Sequence, residues 1–281
     1  MIIVKKITDV QQFLAKRNAK QKSTGFVPTM GALHDGHISL IKAAKKETGV
    51  VVCSIFVNPT QFNDPKDFEK YPVTIESDIY LLEKAGCDVL FLPAVAEMYP
   101  QGLQTSLHFE LGFIETILEG EFRPGHFQGV CQVVYRLLEI ITPDKLFLGQ
   151  KDFQQCMVIR KMAATFFPGL DIIICPTQRE SSGLAMSSRN KRLSDADKIT
   201  ATAIFETMQY VKNNIQPGDL NLLQQKAVRQ LTAKGFRVDY VTIADVFTLR
   251  LQESWDGEEQ IVVLVAAFLN EVRLIDNLIL N

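Results

Sequence analysis

The sequence predicts an α/β protein, a doubly wound parallel sheet followed by a smaller C-terminal α+β domain. Three observations carry this expectation. Short, nearly unbroken apolar and β-branched runs such as Val50-Val51-Val52-Cys53-Ser54-Ile55-Phe56-Val57 fit strands buried on both faces. Helical stretches alternate with them, as in a sheet wound by crossover connections. Polar clusters follow directly after the strands, where such sheets bind ligands.

Taken in order, residues 7–20 read as a helix with Ile7, Val10, Phe13 and Leu14 on one face. A strand over 25–28, a helix over 38–47 and the 50–57 strand follow. A helix over 78–85 leads through Gly86 to a strand over 88–93. Residues 98–129 read as loop, with a glycine, aromatic and charge cluster at Glu119-Gly120-Glu121-Phe122-Arg123-Pro124-Gly125-His126-Phe127. A helix over 130–141, a strand over 145–149, a helix over 153–167 and a strand over 171–175 complete the first series. Beyond a polar junction the pattern changes to helices over 194–214 and 219–234 and strands over 238–244 and 260–268. The domain boundary is expected at Pro176, giving domains 1–176 and 177–281.

Composition narrows the function. With 281 residues, 47% apolar and 22% charged, the chain is long enough for one large or two modest cores. Its net charge is −2 and its Lys and Arg are scattered, which argues against a nucleic-acid partner. Cys53, Cys87, Cys131, Cys156 and Cys175 form no Cys-x-x-Cys pair, so buried free thiols and a cytoplasmic setting are expected. Met1–Lys6 lacks the apolar core of a secretory leader, and no apolar run approaches the ~20 residues of a membrane span.

The most informative stretch is Gly25-Phe26-Val27-Pro28-Thr29-Met30-Gly31-Ala32-Leu33-His34-Asp35-Gly36-His37. A strand reaches Pro28, a glycine turn follows, and a helix begins beside two of the chain's four histidines. Unpaired N–H groups at a helix start, with Gly31 and Gly36 allowing close approach, make a phosphate site. His34 and His37 would sit on one side of the first turn and donate to phosphate oxygens. A helix cap is the plainer reading, and zinc is disfavoured because no His-Glu-x-x-His or cysteine cluster completes a site.

Other clusters are more ambiguous alone. Lys151 and Asp152 follow a strand and suit a polyphosphate and a ribose hydroxyl, or form a solvated pair. Gln61 and Gln155 suit a polar substrate, or are surface residues. Met186-Ser187-Ser188-Arg189-Asn190 could wrap a triphosphate as a lid; in isolation it reads as a linker. Arg123 and His126 could meet an anion or order their loop. There is no nucleophile elbow, Walker lysine motif or Gly-x-Gly-x-x-Gly fingerprint.

Together these segments resemble the pantothenate synthetase (pantoate:beta-alanine ligase) family. The resemblance runs from Pro28–His37 through Ser54-Ile55-Phe56-Val57-Asn58-Pro59-Thr60-Gln61-Phe62, Arg123–Phe127, Lys151-Asp152-Phe153-Gln154-Gln155 and Gly183–Asn190 to Leu274-Ile275-Asp276-Asn277. It spans essentially the whole chain. The His-x-Gly-His turn belongs to a broader class of Rossmann-like nucleotidyl-transferring enzymes; the first five of these motifs in this order are far more specific.

The resemblance implies condensation of pantoate with β-alanine at the expense of ATP and Mg2+, through pantoyl adenylate, in a cytoplasmic homodimer. It implies ATP contacts from Met30, Gly31, Ala32, Leu33, His34, Asp35, Gly36 and His37, from Gly149, Gln150, Lys151 and Asp152, from Gln178, and from Met186, Ser187, Ser188 and Arg189. His37 is the implied proton donor. His34, Lys151, Ser187 and Arg189 are implied on phosphates, Asp152 toward the ribose, and Gln178 on the adenine through its backbone. Gln61 and Gln155 would hold pantoate, and no protein ligand of the metal is implied. Gln150 and Ser182 depart from a family pattern of Glu and Asp. The alternatives are a nucleotidylyltransferase, which keeps AMP in its product, and a non-catalytic nucleotide-binding module.

Overall fold

The structure, a computed structural model, describes residues 1–19, 21–62, 68–69, 71–103 and 107–281. These fall into two compact units, Met1–Gly149 with Gln154–Cys175, and Gln150–Phe153 with Pro176–Asn281. The second unit therefore includes a short segment, Gln150–Phe153, that interrupts the first in sequence.

The first unit is built on a six-stranded sheet of β1 (Ile2–Val4), β2 (Thr24–Thr29), β3 (Val50–Ile55), β4 (Val89–Phe91), β5 (Lys145–Gly149) and β6 (Asp171–Cys175). The strand order is β1-β4-β3-β2-β5-β6 and every pairing is parallel. Winding runs outward from β2 through β3 and β4, then resumes on the other side at β5 and β6. The reversal lies between β2 and β5, the topological switch point at which doubly wound sheets take ligands.

β3 is buried along its whole length, as its unbroken apolar sequence requires. The Asp35–Glu47 helix packs Leu40, Ile41 and Ala44 into a cluster with Val27, Val51, Cys53, Leu82 and Leu90. All five cysteines are free and buried.

In the second unit, β8 (Arg237–Asp245), β10 (Ile261–Leu269) and β11 (Val272–Ile279) form an antiparallel sheet in the order β11-β10-β8. Ile204, Met208 and Val211 of the Ala203–Asn214 helix pack with Ala227 and Leu231 of the Asn221–Ala233 helix over Val241, Ile243, Val263 and Val265. A two-stranded ribbon pairs β7 (Gly218–Asp219) with β9 (Ser254–Trp255).

Several boundaries differ from the sequence expectation. The helix expected from residue 38 starts at Asp35, so His37 lies within its first turn. The helix expected from residue 130 starts at His126, after Gly125 at φ 79°. The helix expected over 194–214 is two, Asp195–Ala201 and Ala203–Asn214. β1 was not anticipated because three residues leave no pattern to read. β11 was not anticipated because the polar pair Asp276-Asn277 interrupts its apolar run.

Candidate active site

The end of β2 is shaped by a carboxylate distant in sequence. Gly31 at φ 81° and Ala32 at φ 50° are consecutive left-handed residues. The N–H groups of Ala32 and Leu33 donate to Asp78 Oδ2 and Oδ1, each at 2.9 Å, and Thr74 Oγ1 donates to Oδ1 at 3.0 Å. Asp78 is 1% exposed. A Cβ at Gly31 would lie 3.1 Å from Asp78 Oδ2, and positive φ already disfavours a side chain there. Thr29 completes the turn, its hydroxyl accepting from Gly31 N at 3.2 Å and donating to Ser54 O at 2.8 Å.

This turn delivers His34 to the N-cap of the Asp35–Glu47 helix and His37 to its first turn. His34 Nδ1 accepts from Gly36 N at 3.2 Å, and His37 Nδ1 accepts from His34 N at 3.3 Å. The ring centroids are 4.1 Å apart. An Nδ1 that accepts an N–H bond carries no proton in the neutral ring, so both rings hold their proton on Nε2. Capping and phosphate donation, alternatives in the sequence, are thus compatible: the capping bonds use Nδ1, and the proton stands on Nε2.

Gln61 is held on the loop after β3. Asn58, fully buried, donates to Thr60 Oγ1 at 2.9 Å and Gly129 O at 3.1 Å, and accepts from Tyr99 OH at 2.9 Å. His126 Nδ1 lies 2.8 Å from Gln61 O, and Arg123 Nη1 lies 3.1 Å from His126 Nε2. Arginine only donates, so Nε2 accepts and Nδ1–H donates to Gln61: this ring holds the opposite tautomer to His34 and His37. Arg123 and His126 therefore order the loop that carries Gln61. Gln61 Nε2 in turn lies 2.7 Å from Met30 Sδ, joining the β2 and β3 loops.

Gln154 and Gln155, adjacent in sequence, do different things. Gln154 is buried, its amide accepting from Glu119 N at 3.0 Å and donating to Ile114 O and Ile117 O at 2.7 and 2.8 Å. Gln155 is half-buried near the start of the Phe153–Phe166 helix.

In the second unit, Gln150, Lys151 and Asp152 form one 3-10 turn, with Lys151 Nζ 3.6 Å from Asp152 Oδ1. Asn277 secures the turn: its Nδ2 donates to Gln150 O and Lys151 O, each at 2.9 Å, and its Oδ1 accepts from Gln150 Nε2 at 3.1 Å. The polar junction is an ordered hairpin, with Met186 N donating to Gln178 O at 2.9 Å and Glu180 N to Leu184 O at 2.8 Å. Ser187 caps the Ser188–Arg192 turn, accepting from Arg189 N at 3.3 Å, and Asn190 Nδ2 donates to Ala185 O at 2.9 Å. Ser182 is exposed at the hairpin tip.

Among the described residues no group of three or more His, Cys, Asp or Glu side chains is arranged to hold a metal ion, and no helix is long and apolar enough to cross a membrane.

Residues 2–279 match the Pantoate-beta-alanine ligase family. The chain belongs to this family. It is 45% identical to the pantothenate synthetase of Cytophaga hutchinsonii, covering 100% of this chain and 99% of the relative. It is 46% identical to that of Alteromonas mediterranea, covering 99% of both. Among solved structures, pantothenate synthetase from Thermus thermophilus superposes with a TM-score of 0.90 at 38% identity, covering 99% of both chains. A pantoate-beta-alanine ligase from Francisella tularensis, solved with beta-gamma ATP and beta-alanine, gives a TM-score of 0.82 at 41% identity, covering 99% of this chain and 97% of that one. The fold is that of the pantoate-beta-alanine ligases, a six-stranded parallel sheet plus a smaller antiparallel unit.

Two residues that hold these segments, one in each unit, were not anticipated in that role. Asp78 has a readable signal: with Ile75, Ile79 and Leu82 it lies on one helical face, and a carboxylate on an apolar face needs a reason. Asn277 occupies a buried position on β11 and was noted only as part of a motif.

Proposed function

We propose that this chain joins pantoate to β-alanine at the expense of ATP, releasing pantothenate, AMP and pyrophosphate. The observation that carries the reading is the pair of histidines at one helix start, each with its proton on Nε2, in a chain of the ligase family. In the first step a pantoate carboxylate oxygen bonds to the α-phosphorus, and the bond to the α,β-bridging oxygen breaks. Pyrophosphate leaves and pantoyl adenylate remains. In the second, the β-alanine nitrogen bonds to the acyl carbon, the acyl C–O bond to phosphate breaks, and AMP departs as the nitrogen sheds a proton.

The ATP contacts are assigned to Met30–His37, Gly149–Asp152, Gln178 and Met186–Arg189. His34 and His37 donate Nε2–H hydrogen bonds to phosphate oxygens, with His37, the implied proton donor, on the leaving group, where its neutral ring stabilises the developing charge. A donor aimed where charge develops contributes ~3 kcal/mol to the transition state. Lys151, Ser187 and Arg189 add to the phosphate contacts, Asp152 binds the ribose, and the Gln178 backbone meets the adenine. Gln61 and Gln155 orient pantoate. Magnesium is assigned mainly to triphosphate oxygens, where it would offset their charge. Residues 177–281 are assigned as a lid that protects the adenylate from water, and the working form as a cytoplasmic homodimer.

The test is chromatography of AMP and pyrophosphate with ATP and magnesium, omitting pantoate and β-alanine in turn. Sustained AMP release is expected only with both present, and His37→Ala lowers kcat by about 10²–10³-fold. AMP that never appears free, or appears regardless of β-alanine, would replace the ligase with a nucleotidylyltransferase or a binding module.

A further inference from the structure

One polar network in the second unit, centred on Arg179, Asp276 and Asn277, borders the residues assigned above. Asp276 on β11, 5% exposed, accepts a two-pronged pair from Arg179, Nη1 to Oδ2 at 2.6 Å and Nη2 to Oδ1 at 3.0 Å. Arg179 also donates to Gly183 O at 3.1 Å and Asn277 O at 3.3 Å, and stacks 4.2 Å over the Phe205 ring. Asp276 Oδ1 accepts the Asn277 N–H at 2.8 Å, and Asn277, 1% exposed, grips the carbonyls of Gln150 and Lys151. Three separated segments meet here: the 150–152 turn, the 178–190 hairpin and β11.

We infer that Asp276 and Asn277 are positioning residues for ATP, fixing the Lys151 turn and the 178–190 hairpin relative to each other within this unit. The inference rests on the function proposed above, because those two segments carry the assigned phosphate and adenine contacts. The chemistry favours it over packing alone. A sheet core needs no buried carboxylate, and a buried ion pair adds little net stability over apolar residues of the same volume. Its two-pronged geometry does fix direction. Asn277 supplies two donors to two successive carbonyls, holding the backbone of Lys151 rather than its side chain. Burial pushes the Asp276 carboxyl above its ordinary range against the pull of Arg179, so the pair is held at a cost to the fold.

The test is Asn277→Ala beside Asn277→Ser, which keeps one donor, with ATP binding measured by calorimetry and KM measured for all three substrates. ATP binding is expected to weaken about tenfold in the alanine variant and less in the serine one, with the KM for pantoate within about twofold of the original. Arg179→Met with Asp276→Asn removes both charges; its melting temperature should exceed that of Asp276→Asn alone, while its ATP affinity stays low. If the alanine variant fails to fold, the serine variant decides. ATP affinity equal to that of the unaltered protein, or losses equal for all three substrates, would overturn the inference while leaving the ligase intact. An unaltered protein that binds no ATP would overturn the proposed function and this inference with it.

Discussion

Replacing Asp78 by Asn tests how a residue far along the chain shapes the histidine turn. The side chain keeps its shape but exchanges one acceptor oxygen for an NH2 group. With the amide oxygen serving Leu33 N and the Thr74 hydroxyl, the NH2 group faces Ala32 N–H, donor against donor. Ala32 is fully buried, so water does not substitute. A lost bond to a charged group costs about 1.5–3 kcal/mol, and the two remaining bonds weaken from charged to neutral, giving about 3 kcal/mol in all. That is a substantial part of a typical domain's stability yet leaves the protein folded. Urea unfolding reads this loss, and kcat/KM for ATP reads its consequence, a fall of at least about tenfold as the φ > 0 turn relaxes and His34 moves. Thr74→Val removes only the outermost bond and should cost about 1 kcal/mol. An Asp78→Asn protein within about 0.5 kcal/mol of the original would refute the account of the turn. Lost stability with unchanged kcat/KM would show that the turn does not set the histidines.

Further outcomes follow from the same geometry. Gly129→Ala places a Cβ 2.3 Å from Thr60 O, so the Pro59–Gln61 turn must shift; steady-state kinetics should show the KM for pantoate raised more than that for ATP. Burial pushes the Cys87 thiol from 9.0 up to about 11 and the Cys131 thiol up to about 12. The unfolded chain therefore loses these protons first as pH rises, and the stability these two thiols contribute is intact below pH 9 and lost as pH climbs through 11 to 12. Urea midpoints measured across that window should fall in the original protein and fall less in Cys87→Ala.

Much of the first unit was legible because a parallel sheet buried on both faces leaves continuous apolar runs, as at Val50–Ile55 and Lys145–Gly149. The histidine turn was legible because strand, glycines and helix start are local in sequence. What stayed hidden depends on distant partners. Asp78 gains its meaning from backbone donors more than forty residues away. Arg123 and His126 left an anion site and an ordered loop open; only the contacts, Arg123 donating to His126 and His126 to Gln61 O, show the loop ordering. β11 was masked by Asp276 and Asn277, whose burial is offset by Arg179 and the 150–151 carbonyls. Polar residues inside a sheet read as a loop until their partners are known.

The central claim is tested most directly by isotope transfer. Pantoate labelled with heavy oxygen in its carboxylate is turned over with ATP and β-alanine, and the released AMP is analysed by mass spectrometry. Attack by the carboxylate on the α-phosphorus, followed by cleavage of the acyl C–O bond, leaves one labelled oxygen in each AMP and one in the pantothenate amide. Unlabelled AMP beside fully formed pantothenate would contradict the adenylate and require another activated intermediate.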